Sequence, residues 1–221
     1  MSSLTAAEWD RRYQGQDLVW SSPPNMWVEQ ETRHLNPGRA LDLACGEGRN
    51  SVWLARQGWR VTGTDFSAVG LDKARALAAS QPPSAEAIQW LQADATSFES
   101  ETVFDLALLV YLQLPHTQRR SAIRAAWQAL APSGTLLVIA HHVDNLPQGV
   151  GGPQDAATLY TEQDVLDDLA AIGAAEVRRA ARVDRPVPGH DRPALDTLVG
   201  AVKPHPVASL PKTAANGKAD G

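Results

Sequence analysis

From residue 40 to residue 142 the chain alternates short apolar runs with helical stretches, and this alternation restricts the possible folds more than any other feature. The runs "ALDLAC", "WRVTGTDF", "IQWLQAD", "FDLALLVYL" and "TLLVIAHH" have the length and β-branched or aliphatic content of strands. "GRNSVWLARQG", "SAVGLDKARALAAS" and "HTQRRSAIRAAWQALAPSG" read as helices, the second capped near Ser67 and the third ended by Pro132 and Gly134. Strands joined through helices form right-handed crossovers, so the sheet is expected to be mostly parallel. "FDLALLVYL" is the most apolar run and belongs at the centre, where both faces are covered.

The flanks complete the pattern. Thr5-Ala6-Ala7-Glu8 is a capping box, which predicts a helix carrying Trp9 and Tyr13. A Pro-containing loop and a second helix, from about Asn25 to His34, follow before Asn36-Pro37-Gly38. After strand five, "VDNLPQGVGGPQDAATLY" is a long connection of the kind that serves as a lid. Thr161 opens another helix that ends at Gly173. "AAEVRRAARVDR" and "ALDTLVGAVK" are joined by too few residues for a crossover, so they should pair antiparallel. The expected fold is α/β: a doubly wound, mostly parallel seven-stranded sheet with helices on both faces and a C-terminal antiparallel hairpin. One domain is expected over residues 1–203, with 1–38 as an N-terminal helical cap. Residues 204–221, poor in apolar side chains, read as a disordered tail.

Composition narrows the function classes. A net charge of −5 argues against a nucleic-acid surface, which demands a basic face. No run approaches the roughly 20 apolar residues of a membrane span. The charged start "MSSLTAAEWDRRYQ" is unlike a signal peptide. A lone cysteine, Cys45, forms no internal disulfide and reads as a small buried residue. A cytoplasmic protein, monomer or homodimer, is expected.

The site is expected beyond the carboxyl ends of the strands, beside strand one. There Gly46-Glu47-Gly48 breaks the chain between strand and helix, where a backbone without a Cβ lets a ligand approach and the helix N-terminus offers N–H groups. Asp65 ends the second strand, where a carboxylate meets ribose hydroxyls. Asp94 ends the third and is placed to meet an adenine edge. The dinucleotide fingerprint is incomplete, because position 51 is serine. Asp42, inside strand one, suits a ligand with an amino group and a cationic centre.

"LDLACGEGRNSVWLARQGWRVTGTDFS", together with "QADA" at Gln92 to Ala95, resembles the S-adenosylmethionine site of class I methyltransferases. "WDRRY", "VWSSPPN" and "CGEGRNS" are similar to the small single-domain enzymes of the tellurite-resistance and thiopurine type. The resemblance implies S-adenosylmethionine as cofactor. It places Asp42, Ala44 and Gly46 along the methionine part, Arg49 near its carboxylate, and Asp65 on the ribose. Phe66, Asp94 and Ala95 fall at the adenine, and Val110 covers the cofactor. Tyr13 and Trp20 close over the methionine end, or equally anchor the N-terminal helix through aromatic packing.

Methyl transfer to a hydroxyl needs a group to take the proton, and histidine is the usual one. His141 and His142 end strand five; alternation points them to opposite faces, so one of them serves. His141 is preferred, with Asp144 to orient it. Glu47, His116 and Asp144 are candidate acceptor contacts. No metal is expected, since a His141-His142-Asp144 spacing is not a familiar ligand pattern. Strand four lacks the Asn/Asp-Pro-Pro-aromatic run that base-methylating enzymes resemble one another in carrying, so a small-molecule acceptor is expected. A sugar hydroxyl, as in a methylated mannoside, is one example. Rival readings are a nicotinamide-dependent oxidoreductase and a cofactor-binding sensor without catalysis.

Overall fold

The computed structural model describes residues 5–15, 17–19, 23–82, 84–173 and 175–205. Helix α1 (Ala6–Tyr13) opens on the expected capping box, with Thr5 Oγ1 accepting from Glu8 N–H and Glu8 accepting from Thr5 N–H. Helix α2 (Met26–Thr32) is capped by Asn25, whose Oδ1 accepts from Trp27 N–H at 2.9 Å. The alternating part then runs β1 (Arg39–Leu43), α3 (Arg49–Arg56), β2 (Arg60–Asp65), α4 (Ala68–Ser80), α5 (Ser84–Ala87), β3 (Ile88–Gln92), β4 (Phe104–Val110), α6 (His116–Ala129) and β5 (Leu130–His141). It closes with α7 (Asn145–Gln148), a 3-10 turn (Ala156–Thr158), α8 (Glu162–Ala170), β6 (Glu176–Arg185) and β7 (Ala194–Val202).

The seven strands lie in the order β3-β2-β1-β4-β5-β7-β6, the first five parallel and β7 antiparallel to both its neighbours. This is the doubly wound sheet with a reversed terminal hairpin that the sequence predicts. Strand alternation sorts the core into two layers. Leu41, Leu43, Ala107, Leu109 and Val138 pack under α6 and α8 with Trp127 and Val165. Ala40, Leu106, Leu108, Leu137 and Ile139 face the opposite way, toward Trp27, Val52 and Leu54 of α2 and α3. That second face carries Asp42 and His141 onward in phase.

Two local expectations need correcting. Helix α6 ends at Ala129 rather than at Pro132, because the buried Leu130 already pairs with Phe104 as sheet. Ser133 then turns through φ 65° before the regular ladder resumes at Thr135 opposite Leu106. The connection after β5 is also less open than its composition suggests. Buried Asn145 ties it down, donating from Nδ2 to Gly151 O at 2.9 Å and accepting from Leu195 N–H at 2.8 Å. Of the expected tail only residues 204 and 205 are described, and His205 lies 2.8 Å from Ser133 Oγ. Among the described residues no helix is long and apolar enough to cross a membrane.

Candidate active site

The carboxyl ends of β1, β2 and β4 bring Asp42, Asp65 and Val110 to the same end of the sheet. Between β1 and α3 the chain makes a turn in which Ala44, Gly46 and Gly48 all take positive φ. Gly48 is the position that must lack a side chain: a Cβ there would lie 2.6 Å from the Trp90 ring and 2.8 Å from Ala74 Cβ. Gly48 also begins α3 without any side-chain cap, and the N-terminus of a helix favours an anionic group.

Asp42 is buried within β1, and its Oδ2 accepts from Ser51 Oγ at 2.6 Å. The serine that spoils the dinucleotide fingerprint is therefore the hydroxyl that satisfies this carboxylate. Burial raises the Asp42 carboxyl to about 6, with the Ser51 bond pulling the other way and Asp65 adding to the rise. Asp65 is buried too; its oxygens accept from Gly46 N–H at 2.8 Å and Ser67 N–H at 2.9 Å. Burial raises this carboxyl, and the backbone bonds oppose the rise. With a further backbone bond from Phe66, the carboxylate still retains about one acceptor site. Exposed Asp94 turns Oδ1 to Thr96, accepting from its N–H and its hydroxyl at 2.8 Å each. Phe66 and Val110 are half-buried along the same rim and Ala95 is buried. Arg49 is half-buried, close enough to Tyr111, Arg185, Asp42 and Glu47 to feel their charges.

The N-terminal helix docks beside this turn. Asp10 of α1 accepts from Ser67 Oγ at 2.5 Å, and buried Tyr13 packs on Gly70, stacking on Trp9 with ring centroids 5.4 Å apart. Glu47, expected to meet an acceptor, instead accepts from Val19 N–H and Lys73 Nζ, both at 3.0 Å, and so clamps the N-terminal segment to α4. Trp20 lies outside the described residues.

The two histidines point apart, as alternation requires. His142 is buried on the α8 side: its Nδ1 accepts from Asp144 N–H at 3.0 Å and its Nε2 lies 3.4 Å from Glu162. His141 faces the other way. Its ring stacks on Tyr111, with centroids 4.7 Å apart, and Gly152 of the following loop lies against it. Its carboxylate partner is Asp196 of β7, not Asp144: the register pairs His141 with Asp196, and Nδ1 stands 3.4 Å from Asp196 Oδ1. Asp144 is drawn away by Arg182, at 2.6 Å. His116 sits with Arg119 and Arg120 around the fully buried Asp168, an ion cluster that ties α6 to α8.

Sequence reading missed Asp196 and Tyr111. Asp196 accepts from Tyr111 Oη at 2.7 Å, Arg185 Nε at 2.8 Å and Trp27 Nε1 at 3.2 Å, all on Oδ2. Burial alone would raise this carboxyl, but His141, Arg185 and Tyr111 outweigh it and hold it below its usual range. Burial and the neighbouring Asp196 push the Tyr111 phenol upward, so it remains a donor. Tyr111 holds φ 56° at the end of β4, a costly conformation for a bulky residue and one that concentrates at functional sites. The signal for Asp196 was present: a carboxylate inside "ALDTLVGAV", as conspicuous as Asp42 in its own strand. Cavities of about 640 Å³ beside Trp59 and about 300 Å³ beside Leu137 and Gly200 open at the amino ends of the parallel strands, away from these groups.

Residues 40–134 match the family described as methyltransferase domain. Over that stretch the chain is similar to methyltransferase domains, and its fold is theirs. S-adenosylmethionine is the cofactor that the resemblance implies. The chain is 29% identical over 170 residues to a putative methyltransferase, YqeM, of Bacillus subtilis, covering 71% of this chain and 66% of that protein. It is 25% identical over 163 residues to thiocyanate methyltransferase 1 of Arabidopsis thaliana, covering 72% and 70% respectively. Among solved structures, the glycopeptide N-methyltransferase MtfA complexed with S-adenosylmethionine superposes with a TM-score of 0.65 at 19% identity, covering 86% of this chain and 99% of that one. The chain thus spans just under two thirds of the first of these relatives.

The geometry fits the cofactor. A turn cleared of side chains at Gly48, an uncapped helix N-terminus and two buried carboxylates with spare lone pairs are what a cationic, zwitterionic nucleoside amino acid requires.

Proposed function

We propose that the chain transfers a methyl group from S-adenosylmethionine to the hydroxyl of a small molecule, with His141 taking the proton. Bound cofactor supplies an electrophilic methyl on a sulfonium; the protein orients, excludes water and handles the acceptor's proton. The α3 N-terminus and Arg49 hold the carboxylate of the methionine part, while Ala44, Gly46 and Asp42 line its amino group. Asp65 takes the ribose through its remaining acceptor site. Phe66, Asp94 and Ala95 flank the adenine, Val110 covers the cofactor, and Tyr13 closes the side nearest α1.

One observation carries the hydroxyl reading. His141, on the sheet face that bears Asp42, is lodged between Tyr111 and Gly152 and backed by a buried carboxylate 3.4 Å away. A built base is needed for an acceptor whose proton must leave, and far less for an anion such as thiocyanate. His142 is unsuited, since its Nδ1 and Nε2 already face protein groups. The net charge of −5 and the tied-down loop over His141 favour a small acceptor over a nucleic acid.

Calorimetry with S-adenosylhomocysteine and with NADH tests the cofactor; binding of NADH alone would overturn the reading. Radiolabelled methyl transfer to panels of hydroxyl, amine and thiol compounds then tests the acceptor. His141→Ala should lower turnover of the hydroxyl acceptor by about 10²-fold or more at unchanged S-adenosylhomocysteine affinity. Turnover confined to amines and indifferent to His141 would refute O-methylation.

A further inference from the structure

The loading of Asp196 is lopsided. Oδ2 receives Tyr111, Arg185 and Trp27, while Oδ1 is buried without a hydrogen bond. His141 Nδ1 is the other orphan: it too is buried without a partner, and it faces Oδ1 at 3.4 Å. Each atom has only the other among the described residues. The residue is fully buried, and a desolvated carboxylate is costly unless donors surround it. Three donors on one oxygen already neutralise and orient the group. The free oxygen is therefore aimed rather than discarded, and 3.4 Å is the long separation that ligand-free sites show before they tighten.

We propose that Asp196 is a positioning residue: through Oδ1 it fixes His141 as the tautomer protonated on Nδ1 and leaves Nε2 to accept a proton from the acceptor. An ionised carboxylate tolerates only a donor at that distance, so Nδ1 must carry hydrogen. When the acceptor hydroxyl gives its proton to Nε2, the ring becomes an imidazolium, and the negative charge of Asp196 stabilises it. The proton afterwards leaves Nε2 to water and the neutral tautomer returns. Tyr111, Arg185 and Trp27 act one step further out, holding Oδ2 so that Oδ1 cannot rotate away. The catalytic use of Nε2 rests on the general-base reading of His141; the tautomer does not.

The test reads the tautomer directly. Long-range proton–nitrogen correlations on protein labelled with ¹⁵N-histidine, with S-adenosylhomocysteine bound, separate the six histidines, and His141→Gln assigns the resonance. Wild-type His141 should show Nδ1 protonated and Nε2 unprotonated. In Asp196→Asn the Nε2-protonated form should gain at least tenfold relative to wild type. An Nε2-protonated wild type, or a variant with an unaltered tautomer, overturns the proposal. Should the variant fail to fold, the wild-type spectrum decides alone. Correct tautomers with full hydroxyl turnover in His141→Ala would support the Asp196 assignment while refuting the general-base reading, so the two fail separately.

Discussion

Asp42 gives the structure its sharpest pH signature. Its carboxyl is held at about 6 against an ordinary 3.8, chiefly by burial. A carboxyl raised on folding is better tolerated in its protonated form, so ionisation destabilises the native state, and the destabilisation grows as pH rises from about 4 to about 6. With each pKa unit worth about 1.4 kcal/mol, the cost is about 3 kcal/mol at pH 7 and about half that at pH 5. Asp42→Asn removes this ionisation and keeps an amide oxygen to accept from Ser51 Oγ. The variant should therefore be the more stable protein at pH 7, and its advantage over wild type should shrink by roughly 1 kcal/mol on moving to pH 5. Urea unfolding of both proteins at pH 5, 6 and 7 measures the difference, and subtraction cancels the titrating groups that do not interact with Asp42. The same variant should bind S-adenosylhomocysteine more weakly, because the amino group of the ligand loses its counter-charge. A stability difference that is flat across the three pH values would refute the argument, and one that grows toward acid would reverse its sign.

Gly48→Ala must accept both a left-handed backbone at φ 79° and a Cβ 2.6 Å from Trp90, so it should cost about 2 to 5 kcal/mol in chemical denaturation. A loss under about 1 kcal/mol would show that the ring yields freely. Asp168→Asn strips the charge shared by Arg119 and Arg120, and should cost about 3 to 5 kcal/mol while leaving S-adenosylhomocysteine affinity unchanged; a weakened affinity would tie the cluster to the site. Burial pushes the Cys45 thiol up, so at pH 8 an aromatic disulfide reagent should modify it at least about tenfold more slowly than free cysteine. Modification at the rate of free cysteine would place the thiolate in solvent.

What the sequence disclosed is what local rules determine. The capping box at Thr5, the helix start at Thr161 and the cap at Ser67 each depend on neighbours a few residues away, and all three appear where expected. The grouping of the residues proposed to hold the cofactor was legible for the same reason: Asp42, Gly46, Gly48 and Ser51 belong to one strand-turn-helix, and Asp65 to the adjoining strand. Even the opposite facing of His141 and His142 followed from alternation.

The surroundings of His141 were not, because they are assembled across the sheet. Asp144 looked like the partner of His141 by proximity in sequence, yet the chain turns at that point and delivers it to Arg182. Asp196 lies 55 positions beyond His141 and meets it only because β7 runs antiparallel beside β5 in one particular register. A slip of one residue would put Asp196 on the other face, beneath α8, and bring an apolar neighbour to the histidine. Tyr111, at the bent end of β4, and Arg185, at the end of β6, reach the same carboxylate from two further strands. The β5–β7 register therefore decides which side chain backs His141, the proposed base, while Asp42 and Asp65 on β1 and β2 are left untouched.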